Sequence, residues 1–172
     1  TDLNESGNAM VMLQIEHENQ EYFVSVEFNV DSYISEENQA RLDAIDNGGN
    51  AYSAIAFIDE GIEDYAALLA ELPHGVNAFI LEDHLDGVQQ MRAIMEAFAA
   101  MDHTDAIDSV HIFSHGTQGS LALGDIILTQ ESIQGMYAQD FQAIGALLAN
   151  DADMLVYGCD FAFGEDGEHA VE

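Results

Sequence analysis

Two patterns of apolar positions divide the chain. In residues 22–30 every second side chain is apolar, which is the period-two pattern of a half-buried β-strand. Residues 10–17 predict a partner strand, and residues 18–20 would form the turn of a β-hairpin. Ser35, with two glutamates directly after it, predicts the N-cap of a short helix, which ends at the glycine- and asparagine-rich linker 46–50.

Beyond residue 50, short continuous apolar runs alternate with segments of helical periodicity. The runs predict four strands, which we place at residues 54–58, 78–81, 110–113 and 154–157. The segments between them predict three helices, the last of them a single long helix capped by Thr129 or Ser132. A small hairpin around Gly124 is expected between the third strand and that helix.

This alternation of strand and helix is typical of an α/β fold. Strands covered on both faces are continuously apolar, so we predict a three-layer, mainly parallel sheet, with the hairpin and short helix as an N-terminal addition. We therefore divide the chain into residues 1–50, holding the hairpin, helix and linker, and residues 51–172, holding the α/β domain. In such sheets the functional site lies beyond the carboxyl ends of the strands, near a topological switch point.

Two strand ends carry residues that could perform chemistry. The third strand runs into Ser114, His115 and Gly116, and the fourth runs into Gly158, Cys159 and Asp160. A cysteine nucleophile needs a base within hydrogen-bonding reach and N–H donors for the oxyanion. His115 is the candidate base and Cys159 the candidate nucleophile. Gly116 and Gly158 let the backbone approach a substrate, so the N–H groups of Gly116 and Cys159 are the candidate oxyanion donors, while Ser114 and Asp160 would line the site.

Each of these residues also has an ordinary structural explanation. A lone cysteine among apolar residues is more often an inert core residue than a nucleophile, and a lone histidine after a strand is usually a hydrogen-bonded structural residue. His111 lies inside its strand on the same face as His115, and we interpret it as a satisfied core histidine. A zinc site built from His111, His115, Cys159 and Asp160 matches no zinc-motif spacing, so no metal site is assigned.

The charge of the chain excludes several classes of partner. There are 33 acidic residues against two arginines, and the formal net charge is −31. No basic patch can be assembled for nucleic acid or for an anionic membrane surface, and no apolar run is long enough for membrane insertion. A solvated surface suited to salty water is the simplest explanation. Calcium binding stays open as a hypothesis without a ligand set, and no cofactor is predicted.

Several short motifs, taken together, resemble a known family. They are AFID at residues 56–59, VHIFSHG at 110–116, GSLALG at 119–124 and LVYGCD at 155–160. In this order, over roughly residues 54–171, they resemble the family called domain of unknown function 4347. That family is similar to the caspase–gingipain group of cysteine peptidases, in which a His-Gly after one strand and a Cys after the next form the catalytic dyad. The resemblance implies a caspase-like, Rossmann-like sheet in which His115 and Cys159 form that dyad.

The resemblance also implies a location and a role. Members stand near the start of very large bacterial surface or secreted proteins, often ahead of repeat domains, so we expect an extracellular or cell-surface location with downstream repeats as partners. The implied function is a cysteine peptidase-like hydrolase that acts on a peptide or on its own polypeptide chain. The alternative is a non-catalytic structural or adhesion module that retains the scaffold. The chain shows no signal peptide, and we expect the domain to be incomplete at its C-terminus, because related peptidases have further strands.

Overall fold

The computed structural model describes residues 8–17, 20–29, 33–102 and 104–159 of the chain. Its first elements are two antiparallel strands, β1 (Asn8–His17) and β2 (Gln20–Asn29), paired from Asn8 opposite Asn29 to His17 opposite Gln20. The predicted hairpin is therefore confirmed. Residues 18 and 19 of its predicted turn, and Val30, lie outside the described residues.

The first helix, α1 (Glu36–Asp46), begins where the sequence predicts. The Ser35 hydroxyl accepts a hydrogen bond from the Asn38 N–H at 3.2 Å, which satisfies one of the amides that a helix leaves unpaired at its start. Leu42 and Ile45 form its buried face. The predicted N-cap and helix are confirmed.

The elements that follow alternate between strand and helix. They are, in chain order, β3 (Ala54–Asp59), α2 (Tyr65–Glu71), β4 (Val76–Leu81), α3 (Gly87–Ala99), β5 (Ile107–Phe113), β6 (Gly116–Thr117), β7 (Ser120–Leu123), β8 (Ile126–Thr129), α4 (Gln130–Gln134), α5 (Ala138–Ala146) and β9 (Leu148–Tyr157). Four of these strands form a parallel sheet in the order β4-β3-β5-β9. The prediction of an α/β fold with a mainly parallel sheet and flanking helices is confirmed. Its caspase-like topology and the division into residues 1–50 and 51–172 stay predictions.

The strand order places the switch point of the sheet. From β3 the chain crosses to β4 through α2, and from β4 it passes back through α3 to β5 on the other side of β3. The direction of winding thus reverses between β3 and β5. A crevice at the carboxyl ends of these two strands is where sheets of this kind place their ligands. Asp59 ends β3 there, and His115 lies just beyond β5.

The core lies between the sheet and the long helices. Phe57 of β3 stands opposite Phe79 of β4, and both rings are fully buried with centroids 6.2 Å apart. Met91 and Phe98 of α3 are buried in the same cluster, as is Ile144 of α5. Full burial of one such side chain contributes about 1.5–3 kcal/mol, so this cluster is the main source of stability.

The outer edge of β4 is closed by a side chain of α1 instead of a further strand. The Asn38 amide donates to the Ile80 carbonyl at 2.6 Å, and its oxygen accepts from the Ile80 N–H at 3.0 Å. Asn38 is fully buried, so both contacts are shielded from water. A side-chain amide therefore satisfies the backbone polar groups of an edge strand in the way that a neighbouring strand would.

The prediction of one long third helix is wrong. The chain forms two shorter helices, α4 and α5, separated at Gly135 to Tyr137. Tyr137 is buried, and its hydroxyl donates to an Asp86 carboxylate oxygen at 2.7 Å. The apolar spacing is compatible with a continuous helix, but this distant partner holds Tyr137 at the break. Met136 points outward and is 74% exposed.

The fourth predicted strand is longer and more exposed than its sequence suggests. It begins at Leu148, six residues before the predicted start at Met154. Since β9 lies at one end of the described sheet, Met154, Leu155 and Tyr157 are 40%, 37% and 47% exposed. The expectation that every apolar run is covered on both faces is therefore wrong for β9.

A small antiparallel sheet, in the order β6-β7-β8, follows β5 and confirms the predicted hairpin. Gly124 forms the turn between β7 and β8 with a φ of +58°, a conformation that side chains disfavour. A Cβ atom there would stand 2.0 Å from the Leu85 carbonyl oxygen.

Among the residues that the structure describes, no helix is both long and apolar enough to cross a bilayer.

Candidate active site

The two strand ends singled out in the sequence lie side by side. Phe113, the last residue of β5, is paired with Tyr157, the last residue of β9. Just beyond them the Ser114 N–H donates to the Tyr157 carbonyl at 3.3 Å. Gly116 is packed against the other strand end, because a Cβ atom built on it would lie 3.0 Å from the Cys159 carbonyl oxygen and 3.3 Å from the Gly158 Cα. The absence of a side chain at position 116 lets the two backbones touch.

His115 is exposed, and its ring is anchored at one nitrogen. Nε2 lies 3.2 Å from the carbonyl oxygen of Gly61, in the loop after β3. A carbonyl can only accept, so Nε2 carries the hydrogen in this contact, and Nδ1 is the unprotonated nitrogen of the neutral ring. The His115 backbone is also held, since its carbonyl accepts from the Ala122 N–H at 2.8 Å and from the Ser114 hydroxyl at 3.1 Å.

Asp59 holds the backbone of Gly61, the residue whose carbonyl contacts His115. The sequence pattern alone assigned Asp59 no role. The side chain is 4% exposed, and its two oxygens accept from the Gly61 N–H at 2.9 Å and the Gly124 N–H at 2.7 Å. Burial raises the pKa of the Asp59 carboxyl, while these two N–H groups and the nearby His115 lower it in part. The signal in the sequence was a carboxylate directly after a continuous apolar run, at the edge where such sheets carry their sites.

The remaining candidate residues differ in what they can contact. Cys159 is an exposed residue and its thiol is free. Gly158 is half-buried beside Gly116. Ser114 is buried, and its hydroxyl donates to the His115 carbonyl at 3.1 Å, so it supports the backbone at this strand end. Asp160 lies outside the described residues. The catalytic roles of these residues stay predictions.

His111 differs from the core histidine that the sequence suggested. Its ring has a partner, because Nδ1 lies 3.2 Å from the Tyr157 hydroxyl. The ring is only half-buried, however, and it stacks on Tyr157 with centroids 5.9 Å apart. The Phe113 ring also stacks on Tyr157, with centroids 4.4 Å apart. The prediction of a satisfied histidine is confirmed and the prediction of a core position is wrong, because the ring lies against the exposed Tyr157 of β9.

A shallow cleft of about 90 Å³ opens beside His115. It is lined by His115, Gly116, Thr117, Ser120, Ala122 and Ile127. The hydroxyls of Thr117 and Ser120 are hydrogen-bonded to each other at 2.7 Å. Apart from the histidine, the lining is uncharged, which suits an uncharged group of a ligand.

A second polar network fixes the loops around the site. Gln90 of α3 is fully buried, and its amide bonds the backbone of Glu82 and Leu85 at 2.8–3.0 Å. Asp86 caps α3 with one carboxylate oxygen and accepts from the Tyr137 hydroxyl with the other. Burial and the bond to Asp86 raise the pKa of the Tyr137 phenol, so it stays a donor. These contacts hold the loop on which the β7–β8 turn rests.

The described residues contain no group of three or more histidine, cysteine, aspartate or glutamate side chains placed to hold a metal ion. Asp59 is engaged with backbone N–H groups, which occupy both of its oxygens. Calcium binding therefore gains no ligand set from the described part of the chain.

The chain matches one family over most of its length. Residues 55–172 match the family described as Domain of unknown function (DUF4347). The chain belongs to this family. The DUF4347 match begins in β3 and includes His115 and Cys159, so the whole candidate site falls within it. The family resemblance seen in the motifs is thereby confirmed. Among proteins with curated descriptions, none matches the chain.

Proposed function

We propose that this DUF4347 domain is a cysteine peptidase module of a large bacterial cell-surface or secreted protein, acting on a peptide or on its own polypeptide chain. Cys159 is the nucleophile and His115 the general base. The observation that carries the proposal is the His115 ring, anchored through Nε2 to the Gly61 carbonyl, on a strand end that touches the strand end of an exposed cysteine.

The chemistry divides into two steps. His115 Nδ1 takes the proton of the Cys159 thiol, and the thiolate attacks the peptide carbonyl carbon to form a C–S bond and an oxyanion. The imidazolium returns the proton to the leaving nitrogen as the C–N bond breaks. A water molecule, deprotonated by Nδ1, then attacks the thioester carbonyl carbon; the C–S bond breaks, the acid product leaves, and the imidazolium returns the proton to the Cys159 sulfur. The Gly61 carbonyl accepts a hydrogen bond from Nε2–H throughout. This bond stabilises the imidazolium that forms between the two proton transfers.

The oxyanion would be held by backbone N–H groups. Gly116 touches the backbone of Gly158 and Cys159, so the N–H groups of Gly116 and Cys159 are candidates to bind the same oxygen. The closeness of the two backbones supports this assignment, because donors must converge on one atom. A donor of this kind is typically worth about a hundredfold or more in rate.

Charge restricts the substrate. The net charge of −31 disfavours acidic peptides, and the cleft beside His115 offers no cation to bind an acidic side chain. An uncharged, small side chain next to the scissile bond fits that lining best. The substrate class we propose is therefore a neutral or basic peptide segment with a small residue at the cleavage point.

The test is covalent labelling with a fluorescent peptide electrophile directed at thiols. Cys159 is the only cysteine of the chain, so the expected label is lost completely in Cys159→Ala. His115→Ala should slow labelling by about a hundredfold, which is the usual loss for a general base. His74→Ala is the matched control, since His74 is an exposed histidine on the turn before β4. Peptide products are followed by mass spectrometry.

The opposite result would favour the non-catalytic alternative. If the folded chain is labelled no faster than a free thiol peptide, and if His115→Ala changes nothing, the peptidase proposal fails. A domain of that kind should also keep its stability in Cys159→Ser, because the exposed thiol contributes no packing.

A further inference from the structure

We infer that Asp59 is a positioning residue for His115, which sets the tautomer and orientation of the ring through the loop at Gly61. Asp59 would be a third functional group of the proposed peptidase site, and its effect on catalysis rests on that proposed function. Its effect on the His115 ring does not depend on the proposed function, because it follows from a relay of three hydrogen-bonding groups. The relay starts at the buried carboxylate of Asp59 and ends at a nitrogen of the His115 ring.

The relay is continuous. The Asp59 carboxylate accepts from the Gly61 N–H at 2.9 Å, and the carbonyl oxygen of the same residue lies 3.2 Å from His115 Nε2. One peptide residue therefore has its N–H held by the carboxylate and its carbonyl directed to the ring. If the turn at Gly61 moved, the acceptor that keeps the hydrogen on Nε2 would move with it.

A second bond prevents the carboxylate from moving. The other Asp59 oxygen accepts from the Gly124 N–H at 2.7 Å, in the turn between β7 and β8. That turn is itself tied to the loop before α3, because the Asp125 N–H donates to the Leu85 carbonyl at 3.0 Å. With 4% of its surface exposed, Asp59 is thus fixed between two turns that flank the site.

Only a carboxylate fits both turns. Two N–H groups face the side chain, so two accepting oxygens are required. Asparagine has one accepting oxygen, and its NH2 group would face the second N–H as donor against donor. Gly61 is also restricted, because a Cβ atom built on it would lie 2.8 Å from Oδ1 of the Asp59 carboxylate, whose two oxygens are each held by one hydrogen bond.

A structural role in loop stability is the rival explanation, and it makes a different prediction. A carboxylate that merely stabilises the turns would, when replaced, lower the melting temperature and leave the ring of His115 unchanged in the molecules that stay folded. A positioning residue changes the ring itself. The decisive readout is therefore the state of the imidazole, measured under conditions in which each variant is folded.

The experiment is nitrogen-15 NMR of the full chain with labelled histidine, at a pH where His115 is neutral. His115→Gln identifies the signal. We expect one tautomer, with hydrogen on Nε2, in the wild type, and a mixture of both tautomers in Asp59→Asn. Labelling of Cys159 by the peptide electrophile should be about tenfold to a hundredfold slower in the variant, the usual cost of a misplaced catalytic group.

Two further variants complete the design. Gly61→Ala keeps every ionisable group and pushes the carboxylate away from the turn, so it should give the same mixture of tautomers and the same loss of labelling. It serves if Asp59→Asn does not fold. Asp83→Asn is the matched control, because Asp83 is an exposed carboxylate that acts on Asp59 through its charge alone. In this variant the His115 ring should have the same tautomer as in the wild type. The labelling rate of Cys159 should stay within about twofold of the wild-type rate.

The outcomes separate this inference from the proposed function. A wild-type ring that carries its hydrogen on Nδ1, or a ring unchanged in folded Asp59→Asn and Gly61→Ala, overturns the inference whatever the labelling shows. A wild type that is never labelled, but whose tautomer is lost in the variants, overturns the peptidase proposal and supports the relay. Loss of both the tautomer and the labelling supports both.

Discussion

The backbone of Gly116 lies against the carbonyl oxygen of Cys159, so close that an added methyl group would require a small shift of this oxygen. A Cβ atom at 116 would stand 3.0 Å from that oxygen. This contact joins the end of β5, which leads into His115, to the end of β9, which leads into Cys159. It also gives the most direct test of whether their spacing matters.

Gly116→Ala should slow the labelling of Cys159 without unfolding the domain. The backbone at Gly158 and Cys159 must give by a few tenths of an ångström, and a displacement of this order between reacting groups costs about tenfold to a hundredfold in rate. The measurement is the rate of labelling by the peptide electrophile. Gly145→Ala is the control, because its added methyl group meets no atom within 4 Å. Equal rates in the two variants would show that the close contact has no chemical role.

The control variant Gly145→Ala should itself be more stable than the wild type. Gly145 is an exposed residue of α5, and replacing a helical glycine by alanine reduces the conformational freedom of the unfolded chain. Gly145→Ala should raise the free energy of unfolding by about 0.5–1 kcal/mol. Urea denaturation followed by circular dichroism measures it. A decrease would indicate that α5 is not helical at that position.

Gly124→Ala should destabilise the protein far more than Gly75→Ala. Both glycines have positive φ, at +58° and +106°, but only at Gly124 does an added Cβ meet the backbone, 2.0 Å from the Leu85 oxygen. We expect a loss of about 1–2 kcal/mol for Gly75→Ala from backbone strain and at least about 3 kcal/mol for Gly124→Ala from strain and collision together. Urea denaturation of both variants gives the comparison. Similar losses would contradict the close approach of the two loops.

Arg92 should matter for stability, and Arg41 should not. Arg92 bonds Asp140 at 2.8 Å, and the Asp140 side chain is only 10% exposed, so Arg92→Met leaves a nearly buried carboxylate unpaired. The expected loss is about 1–3 kcal/mol. Arg41→Met removes the same charge from a pair whose glutamate is 60% exposed, and should cost less than about 1 kcal/mol. A double-mutant cycle with Asp140→Asn isolates the pair. A coupling near zero would contradict this prediction.

The pH dependence of the free energy of unfolding should reveal the raised pKa of the Asp59 carboxyl. Burial raises the pKa of its carboxyl above the ordinary 3.8, so the folded protein binds this proton more tightly than the unfolded chain does. The resulting stability is present in full below pH 3.8 and is lost as the pH rises through the higher, folded-state pKa. The free energy of unfolding of the wild type minus that of Asp59→Asn should therefore fall as the pH rises above 3.8 and level off above the folded-state pKa.

Urea denaturation at several pH values measures this difference. His115 and Asp83 act on Asp59 through their charges and are present in both proteins, so the difference reports the Asp59 carboxyl together with its coupling to these two groups. A difference that grows with pH would mean that the two N–H bonds outweigh the cost of burial and lower the pKa in the folded state.

The sequence by itself determined the layered α/β fold, because the signals for strands and helix starts are local. A short continuous apolar run such as residues 54–58 favours a covered strand, and Ser35 with its glutamates predicts a helix start from three adjacent residues. The contact between the two strand ends also followed, since Gly116 and Cys159 each come soon after a strand of one parallel sheet and parallel strands end at the same edge.

Tertiary structure decided the features that depend on partners far away in the chain. The break between α4 and α5 is held by Tyr137 bound to Asp86, 51 positions away, and no local pattern reveals that bond. The Asp59 carboxylate is fixed by the N–H of Gly124, 65 positions away. Its proposed effect on His115 also depends on the Gly61 carbonyl, which contacts the histidine ring. Apolar periodicity reports which side chains avoid water. It carries no information about which buried carboxylate meets which amide, because that depends on how the loops of the folded sheet are packed together.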